Sequence, residues 1–204
     1  MNPIEPGIEP RIEPDYAVDA DGWCHAAAKL PSPNCDARPA GLAIDLLVVH
    51  NISLPAGQFG TPYIYALFCN RLDISADASF AELEGLRVSS HFLIARDGRL
   101  TQFVSTRERA WHAGLSAHEG RERCNDFSIG IELEGSDDTP FEQAQYRTLV
   151  KLTEALAAAH RLRWVAGHEH IAPGRKTDPG PHFEWARYRE SLNRQCSSKL
   201  RFPG

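Results

Sequence analysis

A chain of 204 residues, 42% hydrophobic and 24% charged, can bury one sizeable core. Its 22 Lys and Arg against 27 Asp and Glu leave a net charge of −5, and no basic run or basic-aromatic ladder breaks this balance, which argues against a nucleic-acid partner. The longest apolar run, LLVV at 46–49, is far too short to span a membrane, so no membrane partner is expected either.

The N-terminus repeats Ile-Glu-Pro at 4–6, 8–10 and 12–14. Such a composition cannot build a core and predicts an extended or disordered arm over residues 1–20. It lacks the basic start and apolar stretch of a secretory signal. The folded domain is expected over 21–196, with a tail at 197–204. The five Cys, at 24, 35, 69, 124 and 196, are odd in number and form no C-x-x-C pair. This fits reduced thiols of a cytoplasm better than a disulfide framework, and it leaves any metal to His and carboxylates.

LLVVHN (46–51) is a short apolar run with β-branched residues and predicts a buried strand. TPYIYALFCN (61–70) opens with Thr-Pro and predicts a short helix. HFLIA (91–95) and LTQFV (100–104), joined through Asp97-Gly98, predict a hairpin. SIGIELEG (128–135) alternates as a strand does. Residues 141–161 carry Ala144, Leu149, Leu152, Leu156 and Ala159 near one helical face, and Thr139-Pro140 suits its start. WVAGHEH (164–170) predicts a strand that runs into a loop, and 182–195 the last helix. Interleaved strands and helices with one hairpin imply a single α/β domain, a mixed sheet flanked by helices.

Between the last strand and the last helix lies GHEHIAPGRKTDPGP (167–181). Pro173, Pro179 and Pro181 with Gly174 and Gly180 forbid a continuous helix or strand and make it an irregular loop. Such loops commonly carry binding and catalytic groups. His50 ends the first strand and His168 the last, while Asp178 sits in the stiff loop. Two imidazoles and one carboxylate, with a fourth position open to water, form the usual catalytic zinc site. The plainer alternative is two His satisfied by backbone carbonyls and an Asp that serves a turn.

Glu132 shares a strand face with Gly130 and Glu134. A Glu beside a metal site can act as general base; a solvated face is the alternative, above all for Glu134. Gly130 in mid-strand marks close approach of another group. Lys176 can balance an oxyanion or simply be a surface Lys. His91 is a second candidate ligand, with packing or support of a ligand as its alternative, and His170 shares the face of His168 with solvent exposure as the default. Trp111, beside His112, can stack on a sugar ring or belong to the core. Arg87 and Arg123 can meet substrate carboxylates or pair with surface Glu. His25, His118, His160 and His182 are taken as structural or exposed.

VVHNISLPAGQFG (48–60), LRVSSHFLIARDG (86–98), RAWHAGLS (109–116), GRERCNDFSIGIELEG (120–135) and GHEHIAPGRKTDPGP resemble the AmpD-type N-acetylmuramoyl-L-alanine amidases, in order from about Gly22 to Trp185. The wider group holds phage-lysozyme-type zinc amidases and peptidoglycan recognition proteins. The resemblance implies a central mixed β-sheet with packed helices. It implies a bacterial cytoplasmic hydrolase of cell-wall recycling, monomeric, with one zinc per chain, that cuts between the lactyl group of 1,6-anhydro-N-acetylmuramic acid and L-Ala of an anhydro-muropeptide. On this resemblance the zinc ligands fall on His50, His168 and Asp178, the catalytic Glu on Glu132 and the accompanying Lys on Lys176. Asn51, Arg87, Ala110 and Arg123 fall on substrate contacts, with Trp111 and His112 beside them. The Ile-Glu-Pro arm has no counterpart there, and His170 stands where similar proteins carry a smaller polar residue. Two other functions stay open: a binding module that does not cut, and a zinc amidase acting on intact wall.

Overall fold

The computed structural model describes residues 14–203. The strands are β1 (Ala28–Lys29), β2 (Cys35–Ala37), β3 (Leu46–Ile52), β4 (Phe92–Ile94), β5 (Leu100–Gln102), β6 (Glu108–Ala110), β7 (Ala117–His118), β8 (Arg121–Glu122), β9 (Ser128–Glu134) and β10 (Trp164–Gly167). The helices are α1 (Tyr63–Phe68), α2 (Gln143–Ala159), α3 (His168–Ile171), α4 (Trp185–Ser191) and α5 (Arg194–Ser197). Six strands form one mixed sheet in the order β1-β5-β4-β9-β3-β10. The run β4-β9-β3-β10 is parallel throughout, and β5 turns back antiparallel on β4. The expected α/β architecture is the one observed.

The central strand β3 is apolar over residues 46–49 because both faces of a parallel sheet are covered there. Leu47 and Val49 share a core with Ile129, Ile131 and Leu133 of β9, with Leu149, Leu152 and Leu156 of α2, and with Tyr188 of α4. Leu46 and Val48 join Ala113, Cys124, Phe127, Ala166 and Ile171 in another cluster. The alternation of β3 therefore carries His50 to the face of Leu46 and Val48, opposite α2. A third cluster, around Leu93, Phe80 and Phe103, takes in Ile64, Leu67 and Phe68 of α1.

The hairpin forms as the Asp-Gly turn predicts, with Gly98 at φ 86. Other boundaries differ from the sequence expectation. Helix α2 starts at Gln143 rather than after Thr139-Pro140. The Thr139 hydroxyl instead accepts from Ser136 Oγ at 3.1 Å, and Phe141 is drawn into the core. Gln145 Oε1 accepts from Glu142 N at 3.0 Å, while its Nε2 donates to the carbonyls of Ile94 and Glu134 and ties the helix start to β4 and β9. Ala159, expected on the buried face, is exposed in the last turn. The last helix is two: Leu192 leaves helical geometry and buries its side chain, and Asn193 Oδ1 then accepts from Cys196 N to start α5. Strand β10 stops at Gly167 instead of running to 170, and a single helical turn, α3, follows it.

At both ends, described residues beyond the expected 21–196 pack on the domain. Tyr16, Val18 and Phe202 lie against the main core, and Leu200 is part of it. Val165 N donates to Arg201 O at 2.8 Å. The Ile-Glu-Pro repeats fall almost wholly on residues 1–13, outside the described residues.

Candidate metal centre

The parallel strands β3, β9 and β10 end on the same side of the sheet, the edge where α/β sheets commonly place ligands. His50 lies near the end of β3 and is 1% exposed. Its Cα partner on β9 is Glu132. His168 opens α3 at the end of β10. Asp178 is folded back onto it by the loop: Glu169 N donates to Asp178 O at 2.8 Å. Gly167 permits that return, because a Cβ there would stand 2.6 Å from Pro179 Cδ.

Three atoms meet as a result. His50 Nδ1 lies 3.0 Å from His168 Nδ1 and 3.0 Å from Asp178 Oδ2, and the His168–Asp178 distance is 3.1 Å. His168 Nε2 donates to Ala113 O at 3.2 Å, so in the neutral ring Nδ1 is a bare lone pair facing a carboxylate oxygen. Electron-rich atoms at this spacing need a cation or a proton among them. Two imidazole nitrogens and one carboxylate oxygen are the donor set of an open zinc site, and the residues fit that ion. Burial lowers the pKa of His50 and favours the neutral ring a ligand must have. Burial pushes the Asp178 carboxyl up, but the side chains of His168 and His50 outweigh it and hold it well below the ordinary range.

Glu132 is 8% exposed, and its Oε2 has no hydrogen-bond partner. Burial first, then the charge of Asp178, raises its pKa well above the usual value, with Lys176 acting against both. A buried carboxyl with an unpaired oxygen beside a cluster of ligands is poised to handle protons. Lys176 is exposed and lines two clefts: one with Asn51, Ser53, Asp137 and Asp178, the other with Arg87, Trp111, His112 and His168.

Glu134, expected on a solvated face, is instead buried. Its Oε1 accepts from Gly60 N at 2.6 Å and its Oε2 from Arg96 N at 3.0 Å, which ties two loops to the end of β9. His91 is not a ligand: Nδ1 accepts from Gly130 N at 3.0 Å, and Nε2 meets Glu108 O at 3.1 Å. His170 also stays outside the cluster, accepting from Gly167 N and packing edge-on against Trp185. The group that approaches Gly130 is the ring of His112.

The expected substrate contacts divide. Arg87 and Trp111 line the second cleft. Asn51 lines the first, where its Nδ2 donates to Asp137 Oδ1 and Pro179 O. Ala110 is fully buried in β6. Both ring nitrogens of His112 are engaged, by His50 and Ser128. Arg123 is exposed, takes φ 61, and pairs with Asp126 at 3.1 Å; it lines neither cleft. His25, His118 and His182 lie away from the centre as expected, and His160 bonds Thr106. All five Cys are free thiols. Two contributors carried no sequence signal. Arg175 donates to Ala113 O at 3.0 Å, and Asn125 Oδ1 accepts from the backbone N–H groups of His112 and Ala113. A lone loop Arg or Asn has no period or motif to mark it.

A family profile described as N-acetylmuramoyl-L-alanine amidase matches residues 40–181. Over 178 residues the chain is 52% identical to the 1,6-anhydro-N-acetylmuramyl-L-alanine amidase AmpD of Escherichia coli (strain K12), covering 86% of this chain and 97% of that one. Its fold is similar to the crystal structure of a Se-Met AmpD derivative, with a TM-score of 0.82 at 51% identity over 85% and 98% of the two chains. It is similar also to AmiD from E. coli in complex with anhydro-N-acetylmuramic acid-L-Ala-D-gamma-Glu-L-Lys, with a TM-score of 0.56 at 32% identity over 82% and 63%.

Proposed function

The chain belongs to the N-acetylmuramoyl-L-alanine amidase family and is an amidase, and from that premise we propose its substrate, its metal and its catalytic residues. The substrate is an anhydro-muropeptide, cut at the amide between the lactyl group of 1,6-anhydro-N-acetylmuramic acid and L-Ala of the stem peptide. The relatives named for that substrate are about half identical over most of their length, which supports this choice. No helix among the described residues is long and apolar enough to cross a membrane. We assign the enzyme to peptidoglycan recycling in a bacterial cytoplasm.

His50, His168 and Asp178 would hold one zinc ion. When bound, zinc supplies Lewis acidity and makes water at the site more acidic. Glu132, with one carboxylate oxygen unpaired, takes the proton of the attacking water and returns it to the amide nitrogen of L-Ala. Its raised pKa strengthens it as a base once ionised. Lys176 balances the charge that develops on the lactyl carbonyl oxygen. Arg87 meets a stem-peptide carboxylate from the cleft it shares with Lys176, and Trp111 offers its ring to the substrate there. Asn51 contacts substrate from the other cleft, whereas Ala110, fully buried in β6, is kept among the contacts on the resemblance alone. Arg123, exposed and lining neither cleft, would meet a part of the substrate that extends beyond them.

The observation that carries this reading is the meeting of three potential ligand atoms beside Glu132. The test is mass spectrometry of products from a purified anhydro-muropeptide, run beside intact sacculi, with zinc counted per chain. Release of free stem peptide from the anhydro-muropeptide in preference to sacculi is expected. Preference for sacculi would move the enzyme to the intact wall; binding without cleavage would make it a binding module.

A further inference from the structure

The three ligand atoms do not hold themselves in place. Each imidazole offers Nδ1 to the centre and turns Nε2 outward. Both outward nitrogens end on one short turn. His50 Nε2 meets His112 Nδ1 at 2.9 Å, and His168 Nε2 meets the carbonyl of the next residue, Ala113, at 3.2 Å. The turn is held in its own right: Asn125 Oδ1 takes the N–H of His112 at 3.1 Å and of Ala113 at 2.8 Å. Arg175 donates to the same Ala113 carbonyl.

Proton positions follow from these contacts. With Nδ1 of His50 facing a metal, its Nε2 carries the proton and donates to His112 Nδ1. His112 Nε2 then carries its own proton and donates to Ser128 Oγ at 3.1 Å, back on β9. Both ring nitrogens of His112 are thereby spent inside the protein. The ring lies against β9 where Gly130 leaves room: a Cβ there would stand 2.5 Å from His112 Cγ.

We propose that His112 is a positioning residue of the metal centre, fixing the tautomer and orientation of His50 while Ala113 O does the same for His168, with Asn125 as the clamp that sets both at once. This rests on the assignment of His50, His168 and Asp178 as metal ligands. Outer partners of ligating imidazoles of this kind are worth about 10–100-fold in metal affinity. The turn couples the two ligands, so that a change at one residue off the metal disturbs both.

The test is the zinc dissociation constant of the full chain, by competition with a chromophoric chelator, for wild type, His112→Phe, His112→Asn, Asn125→Ala and Gly130→Ala, with His50→Ala as the non-binding control. Phe keeps the ring and its packing but has no nitrogen. Asn restores an acceptor near the place of Nδ1. Zinc affinity should fall about 10–100-fold for Phe, recover largely for Asn, and fall for Asn125→Ala and Gly130→Ala with His112 intact. The d–d spectrum of the cobalt-loaded protein should shift in Phe and return in Asn. Wild-type affinity in His112→Phe would overturn the proposal, and equal losses in Phe and Asn would reduce His112 to packing. A wild-type chain that binds zinc no better than His50→Ala would instead overturn the metal-site assignment itself.

Discussion

His50 and Glu132 stand opposite each other in the parallel register of β3 and β9, on the sheet face that turns away from α2. One is the most buried of the three clustered residues, the other the carboxyl with an unpaired oxygen. Their relationship is set by backbone pairing rather than by a loop, so replacing one side chain leaves the other in place. The consequences for activity can therefore be separated.

Glu132→Gln keeps shape and loses the ability to accept a proton. General-base catalysis contributes about 10²–10⁴-fold, so kcat should fall at least about a hundredfold. Zinc content and thermal stability should hold, since the change removes a buried ionisable group whose Oε2 has no partner. Steady-state kinetics with metal analysis on the same sample checks this. A variant with wild-type kcat and full zinc would remove Glu132 from the mechanism.

Lys176→Met deletes a charge that matters most in the transition state. Losing one stabiliser of a developing oxyanion costs about 10²–10³-fold, and kcat should fall in that range with KM little changed. The pH profile separates this variant from the last. Loss of the base flattens the acidic limb, whereas loss of Lys176 lowers the plateau and keeps that limb. A change in KM alone would make Lys176 a binding residue.

Chelation should abolish activity and zinc should restore it. It should also lower Tm, because an ion that binds the folded site and not the unfolded chain stabilises the fold. A ligand present at a hundred times its Kd stabilises by about 2.7 kcal/mol. Differential scanning calorimetry of metal-free and zinc-loaded protein gives the comparison. Coincident curves would mean that the trio does not bind the ion in solution.

A different part of the fold sets a pH dependence. His160, just past the end of α2, meets Thr106 Oγ1 at 3.0 Å. Burial first, then Arg38 and Arg107, lowers its pKa from 6.5 to about 4. The unfolded chain takes up this proton near pH 6.5, and the folded protein resists until about pH 4. The stability it contributes is thus fully present above the first value and lost as pH falls to the second. Each pH unit between them costs up to about 1.4 kcal/mol. His160→Gln should flatten that part of the Tm-against-pH curve relative to wild type, and an unchanged slope would clear His160 of the role.

The clustering of the candidate ligands was legible in the sequence because each sits next to a feature with a local cause. His50 ends an apolar run whose continuity marks a strand buried on both faces. His168 and Asp178 flank a Pro- and Gly-rich stretch that cannot be regular. Glu132 follows from strand alternation, and Gly130 from the need for close approach. What was not legible depends on long-range pairing. Glu134 alternates just as Glu132 does, and nothing local says that Gly60 and Arg96 will cover it. The single turn of α3 after β10 reflects Pro179 closing over Gly167, a contact made only when the loop folds back. Ala110 was located by resemblance alone, which carries positions along the chain but not side-chain direction.

The candidate metal centre draws on residues far apart in the chain. His50 precedes His168 by 118 positions and Asp178 by 128. During synthesis, His50 leaves the ribosome long before either partner exists, and β3 waits with one edge unpaired until β10 arrives. A nascent chain without β10 holds only His50 of the three clustered residues. A metal held by this trio would therefore be captured only after the last strand of the main sheet has been made, and would report on the completion of the fold rather than guide it.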